Sequence, residues 1–259
     1  MPNFPTSWIH RVTGAALCMA AALVSQALSA GVIIDGTRQI YPEQRREITV
    51  RLTNDDTLAP RLVQAWLDSG AQEQGPEHSD VPFTLSPPVF RLDPGKSQTM
   101  RLSYTRQPLP SDRESVFWLN VLEVPPAANE FDPALEEGER NQLRFAFRIR
   151  TKVFFRPTDL PGAPAEAHEQ LRWQLDHSAK ETALVVHNPS AYHVTFNDVA
   201  LVMGARKVAV DIGMVEPGKT LRLPVRTPLR TVPPDAQVDF TYINDFGGFS
   251  AMQRTSLHR

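Results

Sequence analysis

Short runs in which apolar and polar residues alternate recur along much of the chain. Alternation with a period of two places one row of side chains on each face of an extended strand, so each run predicts a half-buried β-strand. Turn-forming residues, such as Asn-Pro at 188–189 and Gly-Gly at 247–248, separate the runs. Such runs occur at residues 48–52, 117–121, 183–186 and 238–242, with a mixed one at 62–67. Short strands with few helical windows predict an all-β chain built from β-sandwiches.

A proline-rich stretch near the middle of the chain marks a domain boundary. Three prolines fall within residues 157–164, and this density predicts a stiff connection that ends the strand before it. We therefore expect an N-terminal domain over residues 31–157 and a C-terminal domain over residues 158–259. Each half also contains a similar turn, Leu-Asp-Pro-Gly-Lys at 92–96 and Val-Glu-Pro-Gly-Lys at 215–219. This repetition favours a type II turn in the same hairpin of two related sandwiches.

The first thirty residues have the pattern of an export signal. Arg11 is the only charged side chain there, and the apolar run after it falls short of the roughly 20 residues that span a bilayer. Small residues then offer cleavage after Ala27 or after Ala30, so residues 1–30 are predicted to be a signal peptide. An uncleaved membrane anchor is the alternative. The one cysteine, Cys18, lies in this segment, so the exported chain would contain no disulfide bond.

Composition and motifs argue against most kinds of chemistry. The formal net charge is -2, from 27 Lys and Arg against 29 Asp and Glu, which excludes a general electrostatic grip on nucleic acid. Residues 213–220 match the P-loop pattern, but the alternating run after them predicts a strand where nucleotide binding needs a helix. The sequence has no His-x-x-x-His pair and no Gly-x-Ser-x-Gly elbow. We therefore expect no nucleic-acid or nucleotide partner, no metal site, no cofactor, no catalytic residue and no enzymatic activity.

The most regular alternation covers residues 143–156. Its odd positions begin with a large apolar face, formed by Leu143, Phe145, Phe147 and Ile149. The opposite face over residues 144–150 is mostly arginine. From these residues alone two interpretations stay open: a half-buried strand within its own sandwich, and a recognition edge to which a partner adds a strand.

With this strand the sequence resembles the periplasmic pilus chaperones of the chaperone–usher pathway. Residues 35–41, Asp-Gly-Thr-Arg-Gln-Ile-Tyr, resemble the first strand of the family with its cleft arginine. Residues 109–125, Leu-Pro-Ser-Asp-Arg-Glu-Ser-Val-Phe-Trp-Leu-Asn-Val-Leu-Glu-Val-Pro, match the family signature along their length. Residues 150–157, Arg-Thr-Lys-Val-Phe-Phe-Arg-Pro, resemble the end of the long edge strand with its cleft lysine. Weaker matches at 64–66 and 242–248 extend the resemblance over essentially the whole chain after the predicted signal.

The resemblance implies a fold and roles for particular residues. The fold is all-β, with two immunoglobulin-like β-sandwich domains arranged as an L and a cleft between them. In the family, two cleft cations anchor the C-terminal carboxylate of a pilus subunit, and they match Arg38 and Lys152. Alternate residues of the edge strand enter the open groove of the subunit, and they match Leu143, Phe145, Phe147 and Ile149. An interdomain ionic cluster, structural rather than catalytic, matches Glu114, Arg156 and Asp245.

The implied function is that of a periplasmic chaperone that binds, folds and caps pilus subunits by donor-strand complementation and then delivers them to an outer-membrane usher. The moderate loop over residues 127–141 and the lack of cysteine after residue 30 resemble the short-loop subclass that serves rod-like pili. Because an exposed apolar edge invites self-pairing, we expect the free chaperone to dimerise or to hide residues 143–149. The alternatives are a two-domain immunoglobulin-like adhesion or surface-binding protein and a periplasmic hydrolase on a β scaffold.

Overall fold

The computed structural model describes residues 31–70, 75–126, 145–177 and 181–258. The predicted signal segment with Cys18, the loop over residues 127–141 and Leu143 lie outside these ranges. The strands of the first half are, in chain order, β1 (Val32–Ile34), β2 (Arg38–Pro42), β3 (Glu47–Asn54), β4 (Arg61–Asp68), β5 (Phe83–Ser86), β6 (Val89–Leu92), β7 (Ser97–Tyr104), β8 (Ser115–Val124) and β9 (Phe147–Arg156). A 3-10 turn, Pro76–His78, lies between β4 and β5.

Two sheets pack face to face in this first half. One has the strand order β1-β3-β7-β5, and the other has the order β2-β9-β8-β4-β6. The second sheet is antiparallel except for the parallel pair β2–β9. Alternate residues of both sheets meet in a core that includes Tyr41, Leu52, Met100, Leu119 and Phe155, each at most 2% exposed. Burial of these side chains is the main force that holds the two sheets together.

The second half forms a sandwich of its own. Its strands are β10 (Arg172–His177), β11 (Thr182–His187), β12 (Val194–Met203), β13 (Arg206–Ala209), β14 (Met214–Val215), β15 (Thr220–Pro224), β16 (Gln237–Tyr242) and β17 (Gln253–Ser256). The sheets have the orders β10-β11-β15 and β13-β12-β16-β17, with β14 paired to β12. A separate core forms between them around Trp173, Leu184, Phe196, Leu201 and Val238. The prediction of an all-β chain with two sandwich domains is therefore confirmed.

The connection between the two sandwiches is short. β9 ends at Arg156, and Leu160 already packs against the second core. A 3-10 helix, Pro164–Gln170, then places Ala167 inside that core. The predicted boundary between residues 157 and 158 falls in this connection and stays a prediction. None of the helices among the described residues has the length and hydrophobicity of a membrane span.

The two Pro-Gly turns have the same geometry in both domains. Gly95 and Gly218 adopt φ values of 64° and 67°, and in each turn the lysine N–H donates, at 3.1 Å, to the carbonyl of the acidic residue three positions earlier. These are the features of a type II turn, as predicted. Each glycine N–H also donates to the carbonyl of a fully buried asparagine, Asn54 in one domain and Asn188 in the other. The strand β15 follows the second turn, so the P-loop letters do not lead into a helix N-terminus.

Candidate functional site

Only half of β9 is paired on both of its edges. The antiparallel partner β8 runs along it from Phe147 to Phe155, whereas the parallel partner β2 begins opposite Lys152. Among the described residues, no strand covers residues 147–151 on the side away from β8. This segment therefore presents unpaired main-chain groups, which are the requirement for adding a strand.

The apolar face of this open half-strand extends beyond the core. Val153 and Phe155 lie in the core of the first sandwich, and the same row of odd positions continues outward through Ile149 and Phe147. Phe145 and Phe147 are 58% and 57% exposed, and their ring centroids lie 6.1 Å apart. Exposed neighbouring aromatic side chains of this kind mark an interaction surface. Leu143, the fourth residue predicted for this row, lies outside the described residues.

The arginine face of the same half-strand packs against its own sheet. Arg150 donates to the carboxylate of Asp68 at 2.9 Å, and Arg148 reaches the same carboxylate at 3.4 Å. The guanidinium groups also lie over indole rings, Arg148 over Trp66 at 4.9 Å and Arg150 over Trp118 at 4.7 Å. The alternation predicted from the sequence is present, and Arg148 and Arg150 share the buried carboxylate of Asp68. No local sequence pattern identifies Asp68 as their partner.

Arg38 and Lys152 lie beside each other where β2 begins to cover β9. They are register partners in the parallel pair, so their side chains leave the same face of the sheet. The guanidinium of Arg38 donates to the carbonyl of Ile243 at 3.1 Å and lies 5.5 Å from the ring of Phe154. The ammonium of Lys152 lies 5.1 Å from the ring of Trp118. The structure thus brings together the two residues that were predicted to form one anion site.

These two cations lack a counterion in the described part of the chain. Neither forms an ion pair there, and the buried Nε of Arg38 has no hydrogen-bond partner. Burial lowers the pKa of the Arg38 guanidinium, although the carboxylates of Asp245 and Glu114 act in the opposite direction. Burial, and then the positive Arg38, lower the pKa of Lys152. Two partly desolvated like charges favour an anion that accepts hydrogen bonds from both.

An ionic cluster joins the two domains next to this pair. The Nε of Arg156 donates to Glu114 at 2.7 Å, and its two terminal nitrogens donate to the carboxylate of Asp245 at 2.7 and 3.0 Å. Glu114 also accepts a hydrogen bond from the main-chain N–H of His193 at 2.9 Å. Burial opposes the charge on Arg156, but its hydrogen bonds to Asp245 and Glu114 outweigh that effect and raise its pKa. The ring of Tyr192 lies 5.4 Å below the guanidinium.

A cleft between the domains opens beside this cluster. Arg38 and Phe154 line it from the first domain, and residues 242–246 line it from the second. The loop at this edge is held by Asn244, whose Oδ1 accepts hydrogen bonds from the N–H groups of Phe246 and Gly248 at 3.0 Å. Phe246 itself is 94% exposed at the rim, a feature that sequence reading did not single out. No group of three or more potential metal ligands occurs among the described residues.

Family models match both domains. The model for the N-terminal domain of PapD, a pili and flagellar-assembly chaperone, matches residues 31–161. The model for the C-terminal domain of the pili assembly chaperone PapD matches residues 166–254. Together the two matches cover most of the chain.

Individual relatives are similar over nearly their whole length. The probable fimbrial chaperone YadV of Escherichia coli K12 is 40% identical over 235 residues, which are 90% of this chain and 93% of YadV. The chaperone protein FimB/FhaD of Bordetella pertussis is 38% identical over 252 residues, which are 95% of this chain and 97% of that protein. The match to the crystal structure of YadV covers 88% of this chain and 100% of the YadV chain, with a TM-score of 0.74 and 38% identity. The match to the crystal structure of the Pseudomonas aeruginosa chaperone CupB2 covers 87% of this chain and 100% of the CupB2 chain, with a TM-score of 0.70 and 36% identity.

Proposed function

The chain belongs to the pilus-assembly chaperones of the chaperone–usher pathway. We propose that it stabilises pilus subunits by donating the open half of β9 as an additional strand. The observation that carries this proposal is the half-strand over residues 147–151, which has one unpaired edge and ends at the cation pair of Arg38 and Lys152. The family is a family of chaperones and not a class of enzymes.

The open half-strand supplies two kinds of interaction to an incomplete subunit sandwich. Its free main-chain groups complete a ladder of hydrogen bonds, which gives affinity without regard to side chains. Phe145, Phe147 and Ile149, together with Leu143 by the resemblance, fill successive pockets of the subunit groove. Burying one such side chain fully contributes about 1.5–3 kcal/mol, so the row stabilises a subunit that cannot close its own core.

The cation pair fixes the register of the added strand. A carboxylate held by Arg38 and Lys152 accepts charge-assisted hydrogen bonds from two fixed donors and compensates their partial burial. A C-terminal carboxylate places the end of the subunit strand at one position along β9. Because side chains alternate with a period of two, this position decides which residues of the partner face Phe147 and Ile149.

The interdomain cluster supports the cation pair from behind. Arg156 is shared by Glu114 of the first domain and Asp245 of the second, so the cluster restrains the angle between the sandwiches. Asp245 belongs to the loop that follows Ile243, whose carbonyl receives the hydrogen bond from Arg38. The cluster thereby holds the anchoring arginine at a fixed place in the cleft.

We place the mature protein in the periplasm, with residues 1–30 removed as a signal peptide, and we propose that loaded chaperone delivers its subunit to an outer-membrane usher. In the absence of a subunit, the open edge at residues 147–151 pairs with a second copy of the chain or is covered by another part of the same chain. The relatives named above are chaperones, and they do not favour the alternative of an adhesion or surface-binding protein.

Co-expression with an exported pilus subunit encoded beside this chain tests the proposal. Tagged chaperone purified from a periplasmic extract is expected to bring down the subunit, and the subunit is expected to be degraded when the chaperone is absent. If the tagged protein fractionates with the outer surface and carries no subunit, the adhesion alternative is correct and the chaperone proposal fails.

A further inference from the structure

A buried carboxylate lies behind the open half of β9. The side chain of Asp68, at the end of β4, is 0% exposed. It accepts hydrogen bonds from the main-chain N–H of Gly70 at 2.8 Å and from the amide of Asn120 at 2.7 Å, besides those from Arg148 and Arg150. An ionised carboxylate in such a place is stable only when donors surround it, as they do here.

The two arginines that Asp68 holds belong to the open half-strand. Arg148 also donates from Nε and a terminal nitrogen to the side-chain oxygen of Asn120, at 2.9 and 2.7 Å. The exposed fractions of the Arg148 and Arg150 side chains are 28% and 18%, although no strand of the described chain lies on the open edge beside them. Their guanidinium groups are therefore held by the sheet in spite of the missing neighbour.

The strand register explains how Asp68 reaches them. Asp68 is the cross-strand partner of Trp118, which in turn is the partner of Lys152. Two residues further along β8, on the same face, Asn120 is the partner of Arg150. All these side chains leave the outer face of the sheet. The row of cross-strand partners that contains Lys152 therefore also contains Asp68, which binds the neighbouring arginines.

A strand that is hydrogen-bonded on one edge alone becomes disordered easily. Ordering the backbone of a disordered strand costs conformational entropy, and the binding of a partner must offset this cost if the strand is not already extended. Contacts that order the strand beforehand raise affinity by removing this cost from the binding step. The Asp68 contacts act on the arginine face, so they leave the opposite face with Phe147 and Ile149 free.

We propose that Asp68 is a positioning residue for the donor strand: by holding Arg148 and Arg150, it keeps residues 147–150 extended in the free chaperone and ready for a subunit. The inference rests on the proposed function, because it assigns a purpose to the order of a strand that the subunit uses.

The second domain offers a matched control. Asp239 is also a buried carboxylate, 1% exposed, that is held by Lys207 and by Arg254, whose Nε lies 2.6 Å away. It lies on β16, outside the sandwich that contains β9. Asp68→Asn and Asp239→Asn therefore remove the same charge from similar surroundings, and only the first touches the donor strand.

Two measurements on the full-length mature chaperone test the assignment. Hydrogen exchange of free chaperone is expected to speed up by about tenfold or more in Asp68→Asn at those amides of residues 147–150 that bond to β8. The association rate constant with a purified, unfolded pilus subunit is expected to fall by about tenfold in the same variant. Asp239→Asn is expected to leave both quantities unchanged, even where its loss of stability is comparable.

The outcomes separate this inference from the proposed function. Unchanged exchange at residues 147–150 and unchanged association in Asp68→Asn would overturn the positioning role and leave the chaperone function standing. Wild-type chaperone that never captures the subunit would overturn the proposed function, whatever the exchange shows. If Asp68→Asn does not fold, the double variant Arg148→Lys and Arg150→Lys keeps both charges, removes the planar contacts to Asp68, Trp66 and Trp118, and is expected to show the same two effects.

Discussion

Arg38 and Lys152 are direct register partners in the parallel pair β2–β9. The residues before them, Thr37 and Thr151, are 114 positions apart in the sequence and are joined by a hydrogen bond. The first strand of the domain and its last strand thereby place two partly buried cations side by side. Neither forms a direct ion pair among the described residues, and the buried Nε of Arg38 has no hydrogen-bond partner there. We propose that a bound carboxylate supplies the missing counterion.

Lys152→Ala is expected to weaken subunit binding by about 10- to 100-fold, because a hydrogen bond to a charged group contributes about 1.5–3 kcal/mol. The fold should persist, since the ammonium makes no ion pair within the described residues. Subunit yield in periplasmic extracts and the dissociation constant measure the loss. Lys96→Ala, which removes an exposed lysine from the Pro-Gly turn of the same domain, serves as the control. Normal subunit levels with Lys152→Ala would show that the anchor is assigned wrongly.

The pH dependence of binding should report the state of Lys152. Burial and the adjacent Arg38 lower the pKa of Lys152 below its ordinary value of 10.5, and only the charged form holds a carboxylate. Subunit affinity is therefore present at neutral pH and lost as the pH rises through this lowered pKa.

The stability of the free chaperone should change in the opposite direction. Between the lowered pKa and 10.5 the unfolded chain binds the proton that the folded chain has released, so the free energy of unfolding rises with pH. Urea titrations of wild type and Lys152→Met over this range isolate the contribution of this one group. Identical pH profiles for the two proteins would mean that the pKa of Lys152 is not lowered in the fold.

Phe147→Glu is expected to abolish capture of the subunit at concentrations that saturate wild type, because it puts a charge into an apolar groove. Stability of the chaperone should change little, since Phe147 is 57% exposed. Co-purification of the subunit measures the effect. Leu58→Glu, at a residue that is 81% exposed in a loop of the same domain, is the matched control and should bind normally. Equal recovery of subunit with both variants would exclude the apolar row from the interface.

Arg156→Ala is expected to lower the free energy of unfolding by about 3 kcal/mol, because it leaves Glu114 buried without its cation. It should also widen the distribution of interdomain distances in small-angle scattering, since Asp245 is released at the same time. Arg226→Ala removes an exposed arginine that pairs with Asp211 within one domain, and it should leave both quantities nearly unchanged. If Arg156→Ala unfolds in one cooperative transition with the wild-type free energy of unfolding, the cluster has no structural role.

Alternation was sufficient to predict several of the longer strands and the two faces of β9. Period-two patterns depend on neighbouring residues, so they identify β3, β4, β8, β11 and β16 directly from the sequence. The Pro-Gly turns were predictable for the same reason, because glycine at a left-handed position is a local requirement. Arg38, Lys152, Glu114, Arg156 and Asp245 were found through the family resemblance, and local patterns alone would have missed them.

Other features depend on contacts that no local pattern reveals. Asp68 is 80 positions from Arg148 and 82 from Arg150, and it looks like an ordinary strand-ending acid in the sequence. The sequence shows only that this face is mostly arginine, whereas in the fold Arg148 and Arg150 share the carboxylate of Asp68. The point at which β2 stops covering β9 is likewise set by how the first and last strands of the domain meet. The exposure of Phe246 follows from the shape of the loop between β16 and β17.

Hydrogen exchange at residues 147–151, compared between free and subunit-bound chaperone, tests the central claim most directly. The free protein is measured at a concentration where sedimentation shows a monomer, so that self-pairing does not protect the edge. Donation of this strand predicts slow exchange of its outward amides in the complex and fast exchange in the free protein. A complex in which these amides exchange as fast as in the free monomer, while protection appears elsewhere, would contradict the account.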